Sequence, residues 1–455
     1  MTSSSHADSS EAAGDVPPRR KVPLHVKILV GLLIGAALGI AANISLSGSS
    51  EAPLAASRDA NQNNLDDRVE WIATNIADPI GKVFLRLVLM IVVPLVYSAL
   101  VLGVVGLGDL RQLGWLGVRT LLYTLILSSS AVVIGLLMVN VMQPGKSLAP
   151  EKREALQAQY GGSAAAVGAG ASKAKPLRDT LVDIIPENPL QEMVGAVDGS
   201  SKGNGMLAVM FFALACGAAL ITIGEKAAPV IVVLEGVFAG CMVITGFAMR
   251  LAPLAVACLM FSIASRLGLG IIATLGWFVL TALSGFALHL FVVYPIFIRL
   301  VAGRPPLQFF RDVQEAMITA FGTSSSNATL PTALKVAQEN LKLSPFVSRF
   351  VLTVGATGNQ NGTALYEGVV VLFLAQVFGV ELTLPQQVMV VLMSVLAGVG
   401  TAGVPGGSIP LIVIVLRSVG VPGESIAIIL GIDRLLDMCR TVLNVTGDLA
   451  LATGV

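Results

Sequence analysis

Gly322-Thr-Ser-Ser-Ser-Asn-Ala-Thr-Leu-Pro331 interrupts an otherwise helix-forming segment, 306–341, with small hydroxyl and amide residues and no charge. A second segment, 385–420, is broken in the same manner by Gly398-Val-Gly-Thr-Ala-Gly-Val-Pro-Gly-Gly407. Between the two, the apolar stretch 344–380 is interrupted by Gly355-Ala-Thr-Gly-Asn-Gln-Asn-Gly-Thr363. Turns that sit in water usually carry charge, and these carry none, which disfavours the alternative of ordinary hairpins with turns outside a membrane. Backbone that leaves the helix at bilayer depth must be covered by protein or line a wet cavity. Paired Gly/Pro-interrupted hydrophobic segments are the sequence pointer to a transporter's binding region.

Composition agrees with a bilayer setting. Of 455 residues 55% are hydrophobic and 13% charged, with mean hydropathy +0.81, against roughly 25% charged in an average soluble domain. A membrane helix needs about 20 apolar residues, and 25–44, 80–106, 114–142, 205–223, 227–254 and 269–300 each qualify, with a polar insert at 145–178. The expected fold is an all-α polytopic membrane protein. Its expected parts are a disordered cytoplasmic tail (1–22), six membrane helices (23–300) and a core (301–455) ending in a charged helix at 421–455. Arg19, Arg20 and Lys21 favour a cytoplasmic start, although the basic residues of the insert run against the positive-inside rule. The first apolar core begins too late for a cleaved signal peptide. A net charge of +1 gives no reason to expect nucleic acid. Cys216, Cys241, Cys258 and Cys439 and the three histidines have no metal-ligand spacing.

The last helix is the exception to the low charge. Asp433, Asp437, Arg440, Asn444 and Asp448 are spaced by 4, 3, 4 and 4, which at about 100° per residue confines them to a stripe about 80° wide. A charge at bilayer depth costs about 3 kcal/mol on the most lenient scale, so the stripe points to a site, the alternative being a structural salt bridge between Asp437 and Arg440. A guanidinium matches a carboxylate as a planar fork, and an aspartate one turn away accepts an ammonium. The pair describes an amino acid carrying a second acid group. Arg434 lies off the stripe and has no role in this reading.

These motifs resemble a known family. Thr323-Ser-Ser-Ser-Asn-Ala-Thr-Leu-Pro331, Asn359-Gln-Asn-Gly-Thr-Ala-Leu-Tyr366, Gly400-Thr-Ala-Gly-Val-Pro-Gly406 and Gly431 to Asp448 are similar, in order and spacing, to the two hairpin tips, the unwound helix and the last helix of the glutamate/aspartate transporters. These are the dicarboxylate/amino acid:cation symporters, which include the excitatory amino acid transporters. The resemblance is specific over about 300–450 and implies a prokaryotic member, in a plasma (inner) membrane, working as a homotrimer. It implies eight transmembrane helices plus two re-entrant helical hairpins, built from inverted repeats, with a transport domain that moves like an elevator against a trimerisation scaffold. It also implies residue roles. Ser325, Ser326 and Asn444 would hold the α-carboxylate of aspartate or glutamate, and Asp437 the ammonium with Thr441 nearby. Arg440 and Thr363 would read the side-chain carboxylate. The second hairpin, from Val404 through Gly406 to Ser408, would close over it. The dicarboxylate branch lacks an aspartate where this chain has Asp437, and the neutral amino acid branch lacks Arg440.

Departures from the family pattern concern the coupling ion. Sodium-coupled members have a carboxylate where this chain has Asn361, and a hydroxyl where it has Leu127, so the site formed with Thr124 and Ser128 is degraded. A hard cation needs several oxygens and a compensating charge. A second sodium site, from Asp448 and carbonyls of Gly355, Asn359 and Asn444, keeps its ligands, and a third would use Thr357 and carbonyls around Thr401. Glu367 stands where proton-coupled members often carry a glutamate. No resident cofactor is implied; the expected coupling ion is a proton, with weakened dependence on sodium. Sodium coupling, C4-dicarboxylate transport and an anion channel of the same fold are the competing readings. A membrane enzyme lacks a partner base, nucleophile or metal triad.

Overall fold

The computed structural model describes residues 24–46, 58–59, 65–106, 110–148, 182, 184–198, 206–400 and 408–455, and among these every extended regular element is helical. In lipid a segment must satisfy its own backbone, which a helix does. The first half comprises α1 (Leu24–Leu46), α2 (Asp67–Gly106), α3 (Leu110–Met142), α4 (Pro189–Asp198), α5 (Met206–Ile223), α6 (Ala228–Leu267) and α7 (Leu269–Leu300). Among the described residues, five helical stretches are long and apolar enough to cross a membrane: Val26–Leu46, Asp67–Gly106, Trp115–Ser147, Ala208–Leu267 and Leu269–Leu300. Leu33, Val141, Val232 and Phe247 are exposed on these helices, an apolar outer surface suited to lipid.

Two expected boundaries are corrected. The helix anticipated at 80–106 begins at Asp67, because the Asp66 carboxylate caps it by accepting the Arg68 N–H at 2.9 Å and a π-turn at Ala73–Ala77 carries it through. The helix anticipated at 227–254 passes Pro253 and ends at Leu267. Gly268 stops it with φ of 62°, a conformation that glycine adopts without steric cost. α4 was not anticipated. Of the polar insert only its start is described, a 3₁₀ turn at Pro144–Ser147; the rest of it, and the tail at 1–22, lie outside the described residues.

α1 runs along α6 in close contact. Gly31, Gly35 and Gly39 face the backbone at Pro253, Ala257 and Phe261 to Ser265 so closely that a Cβ has no room. Small residues every fourth position let two helices approach in lipid. Asn43 closes the seam, its Nδ2 donating to the Ser265 carbonyl at 2.7 Å.

The second half comprises α8 (Pro306–Thr323) and α9 (Ser326–Glu339), which form a hairpin, then α10 (Pro345–Gly358), α11 (Asn361–Val377), α12 (Leu384–Gly400) and α13 (Ile409–Ser418). A 3₁₀ turn at Gly423–Ile428 leads into α14 (Leu430–Gly454). The segment read as the final helix thus opens with that 3₁₀ turn. α8, α9, α10 and α11 all pack on α14, while α11 also lies against α3 and α12. α11 is buried along nearly its whole length and α14 along most of one face. The polar stripe read from the sequence therefore sits in the centre of this half.

Candidate binding site

The site is built where two helices are interrupted. At the tip of the α8–α9 hairpin Ser324 takes a left-handed conformation (φ 50°) and Ser325 an extended one (φ −147°). Ser325 Oγ caps α9 by accepting the Ala328 N–H at 3.2 Å, and Thr329 Oγ1 donates to the Ser325 carbonyl at 2.8 Å. Thr323 and Thr329 share a hydroxyl contact of 2.9 Å. Hydroxyl residues thus replace the missing helical bonds, and Ser324, Ser325 and Ser326 are buried despite their polarity. The left-handed serine is a non-glycine residue in a sparsely populated region, the kind of local strain that clusters at functional sites.

The second interruption separates α10 from α11 at Asn359 and Gln360, as the sequence 355–363 anticipates. Gln360 is the hub. Its Nε2 donates to the Ala356 carbonyl at 2.7 Å and to Ser326 Oγ at 3.4 Å, and its Oε1 accepts from Asn444 Nδ2. The first N–H groups of α11 point at α14: those of Gly362 and Thr363 reach Asn444 Oδ1 at 2.8 and 3.4 Å. Asn444 Nδ2 also donates to Thr363 Oγ1 at 3.2 Å. Gly362 has no space for a Cβ beside the Arg440 carbonyl, so the two helices meet here backbone to backbone. Ser326 and Asn444, read as holding one carboxylate, and Thr363, read with Arg440 as holding the other, all meet around Gln360. A helix N-terminus favours negative charge at this point.

One turn along α14 lies the charged cluster. Arg440 Nε is 2.8 Å from Asp437 Oδ1 and its Nη1 is 3.4 Å from Asp433 Oδ1. The guanidinium carbon lies 4.8 Å from the centre of the Tyr366 ring, within cation–π range. Arg434 Nη1 takes the other oxygen of Asp437 at 3.0 Å. Thr441 Oγ1 donates to the Asp437 carbonyl at 2.7 Å. The ion pair considered as the structural alternative is present, in a buried cluster whose four side-chain charges cancel.

The residues read as ion-related fall into two places. Asp448 Oδ1 accepts from Asn359 Nδ2 at 2.9 Å, and its carboxylate lies so close to Gly355 that only glycine fits there. Among the described residues the buried Asn359 Oδ1 has no hydrogen-bond partner, which leaves an oxygen beside a carboxylate. At the other place Asn361 is engaged at both ends. Its Oδ1 accepts from Ser128 Oγ at 2.7 Å, and its Nδ2 donates to Tyr294 Oη at 3.2 Å. Tyr294 Oη donates in turn to the Leu443 carbonyl at 2.9 Å. Thr124 lies one turn before Ser128 on α3, buried, with Leu127 between them. Glu367, on α11, is 0% exposed, and among the described residues neither carboxyl oxygen has a hydrogen-bond partner. Ser408 is also buried, with its hydroxyl unpartnered among the described residues. Thr401, Val404 and Gly406 lie outside the described residues, as does the Thr357 side chain.

Sequence reasoning missed the hub function of Gln360, the supports Tyr294 and Tyr366, and the reach of Arg434. Gln360 stands within the segment already singled out, so an amide at a helix break was the available signal. The tyrosines carried none, since their meeting with α14 is a product of packing.

Comparison with known proteins places this geometry in a family context. The model of the sodium:dicarboxylate symporter family matches residues 24–455. The chain is 33% identical over 371 residues, 81% of its length and 83% of the relative's, to the proton/sodium-glutamate symport protein of Bacillus subtilis. It is 31% identical over 384 residues to the proton/glutamate-aspartate symporter of Escherichia coli, covering 84% of this chain and 85% of that one. Similarity extends to human excitatory amino acid transporter 5, at 30% over 424 residues, 82% and 75% of the two chains.

Proposed function

This chain belongs to the sodium:dicarboxylate symporter family, and from that premise we propose that it is a cation-coupled symporter of L-aspartate and L-glutamate. It is a membrane transporter, not an enzyme. The observation that carries the substrate is the buried pair of Asp437 and Arg440, one turn from the N-terminus of α11. An acidic amino acid supplies an ammonium for Asp437, a side-chain carboxylate for Arg440 and Thr363, and an α-carboxylate for Ser325, Ser326 and Asn444. Thr441 supports Asp437 from the next turn, and the second hairpin, through Val404, Gly406 and Ser408, closes the site. A C4-dicarboxylate would leave Asp437 facing carboxylates with no ammonium between them.

Coupling to a proton, with weakened dependence on sodium, is supported by two contrasts. The Asn361 oxygen is already engaged by Ser128, and an amide offers no charge to offset a cation. Glu367 is a buried carboxyl with no hydrogen-bond partner among the described residues, a group able to carry a proton across and release it when the site opens. Asp448 with Gly355, Asn359 and Asn444 keeps the donors for one sodium ion, and Thr357 and Thr401 would contribute to another. The working assembly is a homotrimer in the inner membrane. Each protomer has eight spans and two re-entrant hairpins arranged as inverted repeats, and its 301–455 core moves as an elevator against a scaffold drawn from 23–300. Uptake of aspartate and glutamate into proteoliposomes, with sodium and proton gradients imposed separately, tests the proposal; no uptake under either gradient overturns it.

A further inference from the structure

Arg434 has no part in that reading, yet its guanidinium reaches the centre of the site. Arg434 Nη1 lies 3.0 Å from Asp437 Oδ2, while Arg440 Nε holds Oδ1 at 2.8 Å. Both oxygens that an incoming ammonium would need are therefore taken by guanidinium groups of the chain. The two arginines are held unequally. The Arg440 side chain is 3% exposed, touches Asp433 as well and lies over Tyr366. The Arg434 side chain is 14% exposed, and among the described residues its buried Nε has no hydrogen-bond partner. Asp433 and Asp437 balance Arg434 and Arg440, so the cluster is neutral as it stands. An ammonium entering at Oδ2 adds a positive charge, and the guanidinium free to leave is the one with a single carboxylate partner among the described residues, partial exposure and a flexible stem.

We propose that Arg434 is a tethered stand-in for the ammonium group of the substrate. It neutralises Asp437 while no amino acid is bound and swings off Oδ2 when an ammonium arrives. It is a positioning residue acting through Asp437, and the inference rests on the acidic amino acid reading above. The consequence is a competition that only ammonium-bearing ligands meet. A dicarboxylate such as succinate does not claim Oδ2, and it benefits from Arg434 because a neutralised Asp437 repels it less. Removing Arg434 should therefore move the two affinities in opposite directions, which a merely structural role would not do.

The experiment is calorimetric titration of the detergent-purified full chain with aspartate, with succinate measured by displacement of aspartate. It compares wild type, Arg434→Met and Arg434→Lys. The expected result is aspartate binding about tenfold tighter in Arg434→Met, about 1.4 kcal/mol, with weaker displacement by succinate and a wild-type ratio in Arg434→Lys. Aspartate affinity that is unchanged or weaker in Arg434→Met, or that shifts in parallel with succinate, overturns the stand-in. If succinate displaces aspartate from none of the proteins, the aspartate arm alone decides. If Arg434→Met does not elute as folded protein, Arg434→Gln replaces it with the same expectation. A wild type that binds neither aspartate nor glutamate overturns the substrate assignment and the stand-in together, and so differs from failure of the stand-in alone.

Discussion

Arg440 gathers more interactions than any other charged group on the last helix: two carboxylates and an aromatic ring. Breaking a buried charge network by removing one partner costs about 3–5 kcal/mol, because the remaining charge is left uncompensated. Arg440→Ala is therefore expected to weaken aspartate and glutamate binding by more than about a hundredfold, read by titration of the purified protein. Unchanged aspartate affinity would remove Arg440 from the site. Asn361 offers the converse experiment. Asn361→Asp restores a carboxylate that Ser128 can still donate to, at the loss of the bond to Tyr294, worth about 1 kcal/mol. Sodium should then raise substrate affinity at least about tenfold more than in wild type; an identical sodium response in both proteins would count against a degraded cation site. The stripe from Asp433 to Asp448 was legible because helical spacing alone aligns it. Arg434 lies just outside that stripe and was passed over, although it stands three residues from Asp437, the same spacing that joins Asp437 to Arg440.

At the scale of elements, the interrupted helix does the positioning. α10 and α11 abut at Asn359 and Gln360, and the N-terminus of α11 presses on α14 at Gly362. Gly362→Ala should push the two helices apart, at about 1–3 kcal/mol for overpacking, and weaken substrate binding through Asn444 and Thr363. A thermal unfolding scan with and without aspartate separates the two effects, and an alanine variant stabilised by aspartate as much as wild type would show that the contact does not serve the site. The second hairpin tip is expected to close over substrate, since its glycines relax the backbone limits on movement. Substrate should slow thiol labelling of a cysteine placed at Val404, and equal labelling rates with and without it would argue against a gate. The breaks within 322–331 and 355–363 were readable because Gly, Ser and Asn cannot continue an apolar helix quietly. Helix ends were read less well. The passage of α6 through Pro253 depends on packing against α1 that composition does not reveal, whereas the Asp66 cap is a local signal that was open to reading.

For the whole molecule, the distribution of burial separates a lipid-suited exterior on α1, α3, α6 and α7 from a polar interior on α11 and α14. Glu367 lies in that interior with no hydrogen bond to hold it among the described residues. Glu367→Gln should abolish acceleration of uptake by an inward proton gradient while leaving substrate-dependent sodium effects in place. Uptake by wild type that ignores the pH gradient would sink the proton assignment. The seam between α1 and α6 has a consequence for how such a chain is made. Asn43 meets its partner Ser265 across 222 residues of sequence. At synthesis rates of roughly 5–20 residues per second, α1 is complete about 10–45 seconds before that partner leaves the ribosome. During that interval the newborn helix must lodge in the bilayer without the neighbour that covers its three glycines. An uninterrupted apolar segment can wait there because lipid is as good a solvent for it as the neighbour it will later join.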